Sequence, residues 1–129
     1  NSNQTTANWS WSYTINGTWI ATPLLRFTIN GLHNTYTDGV LQISRYADST
    51  KYETISIYKD WTDDNGKVIE IDCINQTVKL AGQAIDYWGT FFDLPKGAGG
   101  IRCEQYDSTF ASNYFLELSS YMEYNERYL

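Results

Sequence analysis

Three groups of residues in this 129-residue sequence have types and spacings that could do chemistry: a carboxylate pair, an acidic turn and a set of tryptophans. Glu70 and Asp72 stand two apart in a run of β-formers, which sets their Cα atoms about 6.6 Å apart on one strand face. Two carboxylates about 5–9 Å apart across a cleft are what a glycosidase requires. Alternation gives the plainer reading. Ile69, Ile71 and Cys73 point inward, so Glu70 and Asp72 form a solvated outer face. The run Asp60-Trp61-Thr62-Asp63-Asp64-Asn65-Gly66 has the composition of a calcium loop. Setting Gly66 at the sixth position of the calcium template puts Trp61 where the first aspartate must stand, so the template fails. Asn65-Gly66 supplies the positive φ angles of a tight turn, and a hairpin at Asp63–Gly66 is expected. No metal site and no cofactor are expected.

Nucleophilic catalysis needs a positioned base. The single histidine, His33, falls in a polar loop between two turns, and neither Cys73 nor Cys103 has a context that would lower its pKa. No catalytic residue is assigned, and a protein that binds rather than catalyses is expected. Lys96-Gly97-Ala98-Gly99-Gly100 lacks the Lys-Ser/Thr pair and the helix N-terminus of a phosphate loop, and reads as a flexible connection between strands.

The tryptophans are left. Aromatic residues make up 16% of the chain, more than a sandwich core of this size consumes. Trp9, Trp11, Trp19, Trp61 and Trp88 all fall at strand ends or beside turns. Indole stacks on the C–H faces of sugar rings, and the abundant Asn, Asp and Gln can bond sugar hydroxyls. These five are the candidate carbohydrate-binding residues.

The elements that must position them are strands. Short β-rich runs alternate with turn signals about every ten residues, the pattern of a sandwich or barrel. Expected strands cover 9–13, 24–29, 40–46, 52–58, 68–74, 77–80, 90–94, 101–106 and 115–124. Residues 1–8 are polar and read as loose. With no repeat and no linker, residues 1–129 form one domain: an all-β antiparallel sandwich of about nine strands. The formal charge of −6, with nine scattered basic residues, argues against nucleic acid and against an anionic membrane surface. No stretch reaches the length of a membrane span. Asn3, Asn8, Asn16 and Asn75 head Asn-x-Ser/Thr triplets, acceptors for glycan in a secreted protein. Cys73 and Cys103 could bridge or remain as buried thiols.

The order of motifs in the second half resembles a known family. Val68-Ile69-Glu70-Ile71-Asp72-Cys73 is followed by Asn75-Gln76-Thr77-Val78 and Gly82. Then come Phe91-Phe92-Asp93-Leu94-Pro95-Lys96-Gly97, Ile101-Arg102-Cys103 and a closing Arg127-Tyr128-Leu129. Upstream, Asn16-Gly17-Thr18, Ala21, Pro23, Phe27-Thr28-Ile29 and Gly31 are similar to the opening of the same domain. Across residues 12–129 the chain resembles the C-terminal domain of distal tail proteins of long-tailed phages that infect Gram-positive bacteria. Three small residues after Lys96-Gly97 and a tryptophan-rich first strand depart from that pattern.

The resemblance implies a galectin-like, jelly-roll β-sandwich on the outside of a hexameric ring at the virion tail tip. The ring would be built by an N-terminal domain that this chain lacks. It implies host adsorption, either by gripping a host cell-wall saccharide or by holding a receptor-binding protein among the other baseplate proteins, without catalysis or cofactor. Synthesis in the bacterial cytoplasm would leave the sequons bare and the thiols reduced. The remaining alternative is a glycosylated, disulfide-bonded extracellular surface domain.

Overall fold

In the computed structural model, residues 2–4, 6–33 and 38–125 are described. They form eleven strands: β1 (Ser2–Gln4), β2 (Asn8–Ile15), β3 (Leu24–Leu32), β4 (Asp38–Ala47), β5 (Thr50–Asp60), β6 (Val68–Asp72), β7 (Thr77–Leu80), β8 (Gln83–Ala84), β9 (Trp88–Gly89), β10 (Gly97–Asp107) and β11 (Leu116–Glu123). One sheet has the order β1-β11-β3-β6-β7-β8 and the other β2-β10-β4-β5-β9. Every pairing among them is antiparallel. This is the expected antiparallel β-sandwich.

Period-two alternation builds the core, because each strand sends every second side chain inward. The six-stranded sheet contributes Leu25, Phe27, Ile29, Ile69, Ile71, Val78, Leu116 and Leu118. The five-stranded sheet contributes Leu41, Ile43, Ile55, Ile57, Ile101 and Cys103. Ala21, Phe92 and Leu94 close the core from connecting segments. Ile69, Ile71 and Cys73 are buried, as alternation required.

Four local expectations are corrected. Residues 90–94 form no strand; only Leu94 bridges to Ala21, with paired hydrogen bonds of 3.0 and 2.6 Å. Apolar Phe92 and Leu94 are there to fill the core, not to extend a sheet. Asp63–Gly66 closes no hairpin, since β5 and β6 lie in different sheets. The segment crosses between the sheets. Trp61 is buried at the crossing and Asp64 is held there by Lys59 and by Lys67 at 3.0 Å. Gly66 does adopt a positive φ of 85°, so the turn chemistry is present while its role differs.

The glycine-rich run is the third correction. Gly97–Gly100 is the first part of β10 and pairs with Ile15 through Ser12. The reason lies on the neighbouring strand. A Cβ on Gly99 would fall 2.4 Å from Tyr13 Oη, because the Tyr13 ring lies across the bare backbone. Finally, Ser2–Gln4, within the stretch read as loose, pairs with Ser120 through Leu118. Arg127-Tyr128-Leu129 lies outside the described residues.

Candidate functional site

The outer face of the five-stranded sheet carries a ladder of side chains whose order follows from register. One row reads Tyr106, Val40, Tyr58 across β10, β4 and β5. The next reads Glu104, Gln42, Ser56, Trp88, ending on β9. Ser10, Arg102, Ser44 and Thr54 follow, and Ser12, Gly100 and Tyr46 come last. Successive rows are about 6.7 Å apart.

Val40, Ser56, Tyr58, Trp88 and Phe110 line a groove of about 460 Å³ at one end. Its aromatics are open to solvent: Trp88 is 59% and Phe110 69% exposed. Phe110 comes from the turn after β10, which folds back so that Ser112 bridges to Tyr106 at the end of that strand. Asp107 Oδ1 accepts from the Thr109 and Ala111 amides at 2.9 and 3.0 Å, and Phe110 N donates to Asp107 O at 3.0 Å. The Thr109 hydroxyl and these amides hold the Asp107 carboxyl below its ordinary pKa. Inside the sandwich, Gln105 ties down the far end of the same segment. Its Oε1 accepts from Phe115 N and Leu116 N, and its Nε2 donates to Leu116 O.

Beside the groove runs a preorganised polar row. Lys51 Nζ donates to Glu104 Oε1 at 2.9 Å and to Gln42 Oε1 at 3.1 Å. Tyr106 Oη donates to Glu104 Oε2 at 2.6 Å, and Gln42 Nε2 to Ser56 Oγ at 3.3 Å. Burial pushes the Glu104 carboxyl up, but hydrogen bonds from Tyr106 and Lys51 more than offset this and its pKa falls. Burial and the Glu104 carboxylate push Tyr106 up to about 12, so it stays a donor at neutral pH. Further along, the Arg102 guanidinium lies 3.9 Å from the Tyr46 ring centroid and donates to Tyr46 Oη at 2.7 Å.

The five tryptophans are dispersed. Only Trp88 joins this groove. Trp61 is 1% exposed and donates from Nε1 to Gly39 O at 3.0 Å, which makes it a core residue with no face for a ligand. Trp9 and Trp11 sit with ring centroids 4.9 Å apart and pack on the core at the β2 edge. Trp19 is exposed but lines no part of the groove. Tyr58, Tyr106 and Phe110 were missed as site residues. The alternation of Thr54, Ser56 and Tyr58 against buried Ile55 and Ile57 is the sequence signal that puts Tyr58 outside; nothing local marks Phe110.

The Glu70 and Asp72 carboxylates have structural work. Glu70 accepts from Arg26 Nε at 3.2 Å. Asp72 accepts from the Asn75 and Ile74 amides at 3.0 Å and from Asn75 Nδ2 at 2.8 Å, closing the β6–β7 turn. Those bonds, the Asn75 amide first, lower the Asp72 pKa, the opposite of what a general acid needs. His33 stacks on Tyr114 at 4.7 Å and stands 3.6 Å from Glu117. Among the described residues no cluster of three His, Cys, Asp or Glu could hold a metal. Cys73 and Cys103 are both buried and are not joined in a disulfide. Burial raises Cys73 to about 11 and Cys103 well above its ordinary value. Among the described residues no helix is long and apolar enough to cross a membrane. Compared with known proteins, the chain matches no family model, no curated protein and no solved structure.

Proposed function

We propose that this sandwich is a host-adsorption domain of a phage tail tip that binds a cell-wall saccharide on the outer face of its five-stranded sheet. The observation that carries the binding reading is the groove of Val40, Tyr58, Trp88 and Phe110 set against the polar row of Gln42, Lys51 and Glu104. A sugar ring has two chemistries, C–H faces and equatorial hydroxyls, and this surface offers a partner for each. The aromatics supply rigid area at low entropic cost, and the polar row is already held in place, which lowers the cost of ordering it on binding. The tail-tip assignment rests on the motif order from Val68 onward and on the shared sandwich architecture. Binding here requires no cofactor.

The 129-residue chain, printed against a glycan array and fused to a fluorescent protein for labelling Gram-positive cells, tests the reading. Signal on cell-wall saccharides, with competition by the soluble sugar, supports it. Dark cells together with an empty array, and co-purification with other baseplate proteins instead, would replace it with a protein-docking role.

A further inference from the structure

The far end of the same sheet face has a second depression, of about 450 Å³, lined by Ser10, Ser12, Tyr46, Ser49 and Arg102 with Gly100 between them. Its floor exists because Gly100 has no side chain. Gly100 occupies the outward position between Ser12 and Tyr46, where any other residue would fill the space. Even a bare Cβ there would come within 3.1 Å of Trp11 O.

Charge distinguishes this pocket from the rest of the surface. Of the described arginines, Arg26 and Arg45 each hold a carboxylate, at 3.2 and 2.7 Å. Arg102 has no carboxylate within ion-pair distance among the described residues. Lys51 is paired with Glu104, and Arg102 acts on that carboxylate only beyond ion-pair distance, so the three groups together leave one net positive charge. The guanidinium carbon lies 3.9 Å from the Tyr46 ring centroid and one N–H donates to the Tyr46 hydroxyl, which commits one of the five donors of the fork, and Arg102 lines the pocket. A planar, oriented fork beside Ser10, Ser12 and Ser49 is matched to a planar monoanion.

We propose that this pocket is a carboxylate subsite, and that the saccharide this domain takes carries a uronic acid. The proposal rests on the saccharide reading above and deepens it. Arg102 receives the carboxylate through paired N–H···O bonds and the serines bond the adjoining hydroxyls. The row of Arg102 is two register steps, about 13 Å, from the row of Tyr58. A chain of three to four sugar units therefore spans from the aromatic groove to the carboxylate.

The test uses tetrasaccharides of glucuronate, galacturonate and mannuronate, each with its fully methyl-esterified neutral counterpart, in calorimetric titration against the full chain. A poly(glycerol phosphate) is the third arm. At least one uronate is expected to bind about tenfold tighter than its ester at low salt, an advantage that shrinks as salt is raised. Arg102→Gln should erase that advantage by weakening the acid far more than the ester, and Arg102→Lys should restore part of it. Trp88→Ala should weaken acid and ester alike. Equal binding of acids and esters, or an advantage that survives Arg102→Gln, overturns the subsite and leaves the saccharide reading standing. Preference for the phosphate polymer over every uronate overturns the carboxylate assignment. Binding of nothing in all three arms overturns both.

Discussion

Replacing Gln105 with Leu removes the most concentrated polar interaction in the sandwich. Gln105 is fully buried and serves three backbone groups: the amides of Phe115 and Leu116, at 3.0 and 2.8 Å, and the Leu116 carbonyl, at 2.8 Å. Leucine fills nearly the same volume, so the cavity contribution is small. The cost comes from stranding these groups away from water, about 1–3 kcal/mol for each donor or acceptor left unmade. Taking the lower half of that range for three groups gives a loss of about 3–6 kcal/mol. Against an unfolding entropy of about 0.27 kcal/mol/K for a chain this long, the melting temperature should fall by about 11–22 °C. Urea unfolding followed by tryptophan fluorescence gives the free energy directly. Gln105 also anchors the end of the segment that carries Phe110, so sugar affinity should fall with stability. A loss below 1 kcal/mol would show that water or relaxed backbone satisfies these groups, and would refute this account of how the segment is held.

Three further outcomes follow from the same structure. Gly99→Val should cost about 1–3 kcal/mol through collision with the Tyr13 ring, and Tyr13→Ala in the same chain should recover part of it in a thermal melt. Glu53, Asp72, Glu104 and Asp107 all have depressed folded-state pKa values. The hydrogen bonds that depress them stabilise the fold above the ordinary carboxylate pKa of about 4. As pH falls below it the unfolded chain takes up protons first, so the unfolding midpoint should drop steadily; a flat profile from pH 5 to 2 would contradict this. Both thiols should be inert to a thiol reagent in the native state and both react on unfolding, with an intact non-reduced mass that shows no loss of two hydrogens. A missing pair of hydrogens or added glycan would revive the extracellular alternative.

Sandwich architecture was legible because alternation is a local signal: Ile55 and Ile57 against Thr54, Ser56 and Tyr58 reads the same in isolation as in the fold, whereas Tyr52 leaves that row at the register shift beside Arg45. Sheet membership was not. Asn65-Gly66 specifies a turn but says nothing of which sheet the chain joins next, and that choice depends on Trp61 and Asp64 being buried at the crossing. Gly97–Gly100 looked like a loop because the ring that requires bare backbone, Tyr13, is more than eighty residues upstream. Residue type also misdirected the site. Tryptophan was the natural marker, yet Trp61 went to the core and Trp9 and Trp11 to its edge, while Tyr58 and Phe110 completed the groove with Trp88. Phe110 reaches the groove through the Asp107 turn and the Gln105 bonds, whose partners lie across strands rather than along a readable period.

The central claim is that the outer face of the five-stranded sheet binds saccharide through Trp88, Tyr58 and Phe110. Its most direct test is a titration of the array-selected sugar against wild type, Trp88→Ala and Trp19→Ala. Losing one stacked indole should weaken binding by about tenfold, and Trp19→Ala, exposed but away from the groove, should leave affinity unchanged. Equal affinity in all three proteins, or a loss confined to Trp19→Ala, would contradict the account.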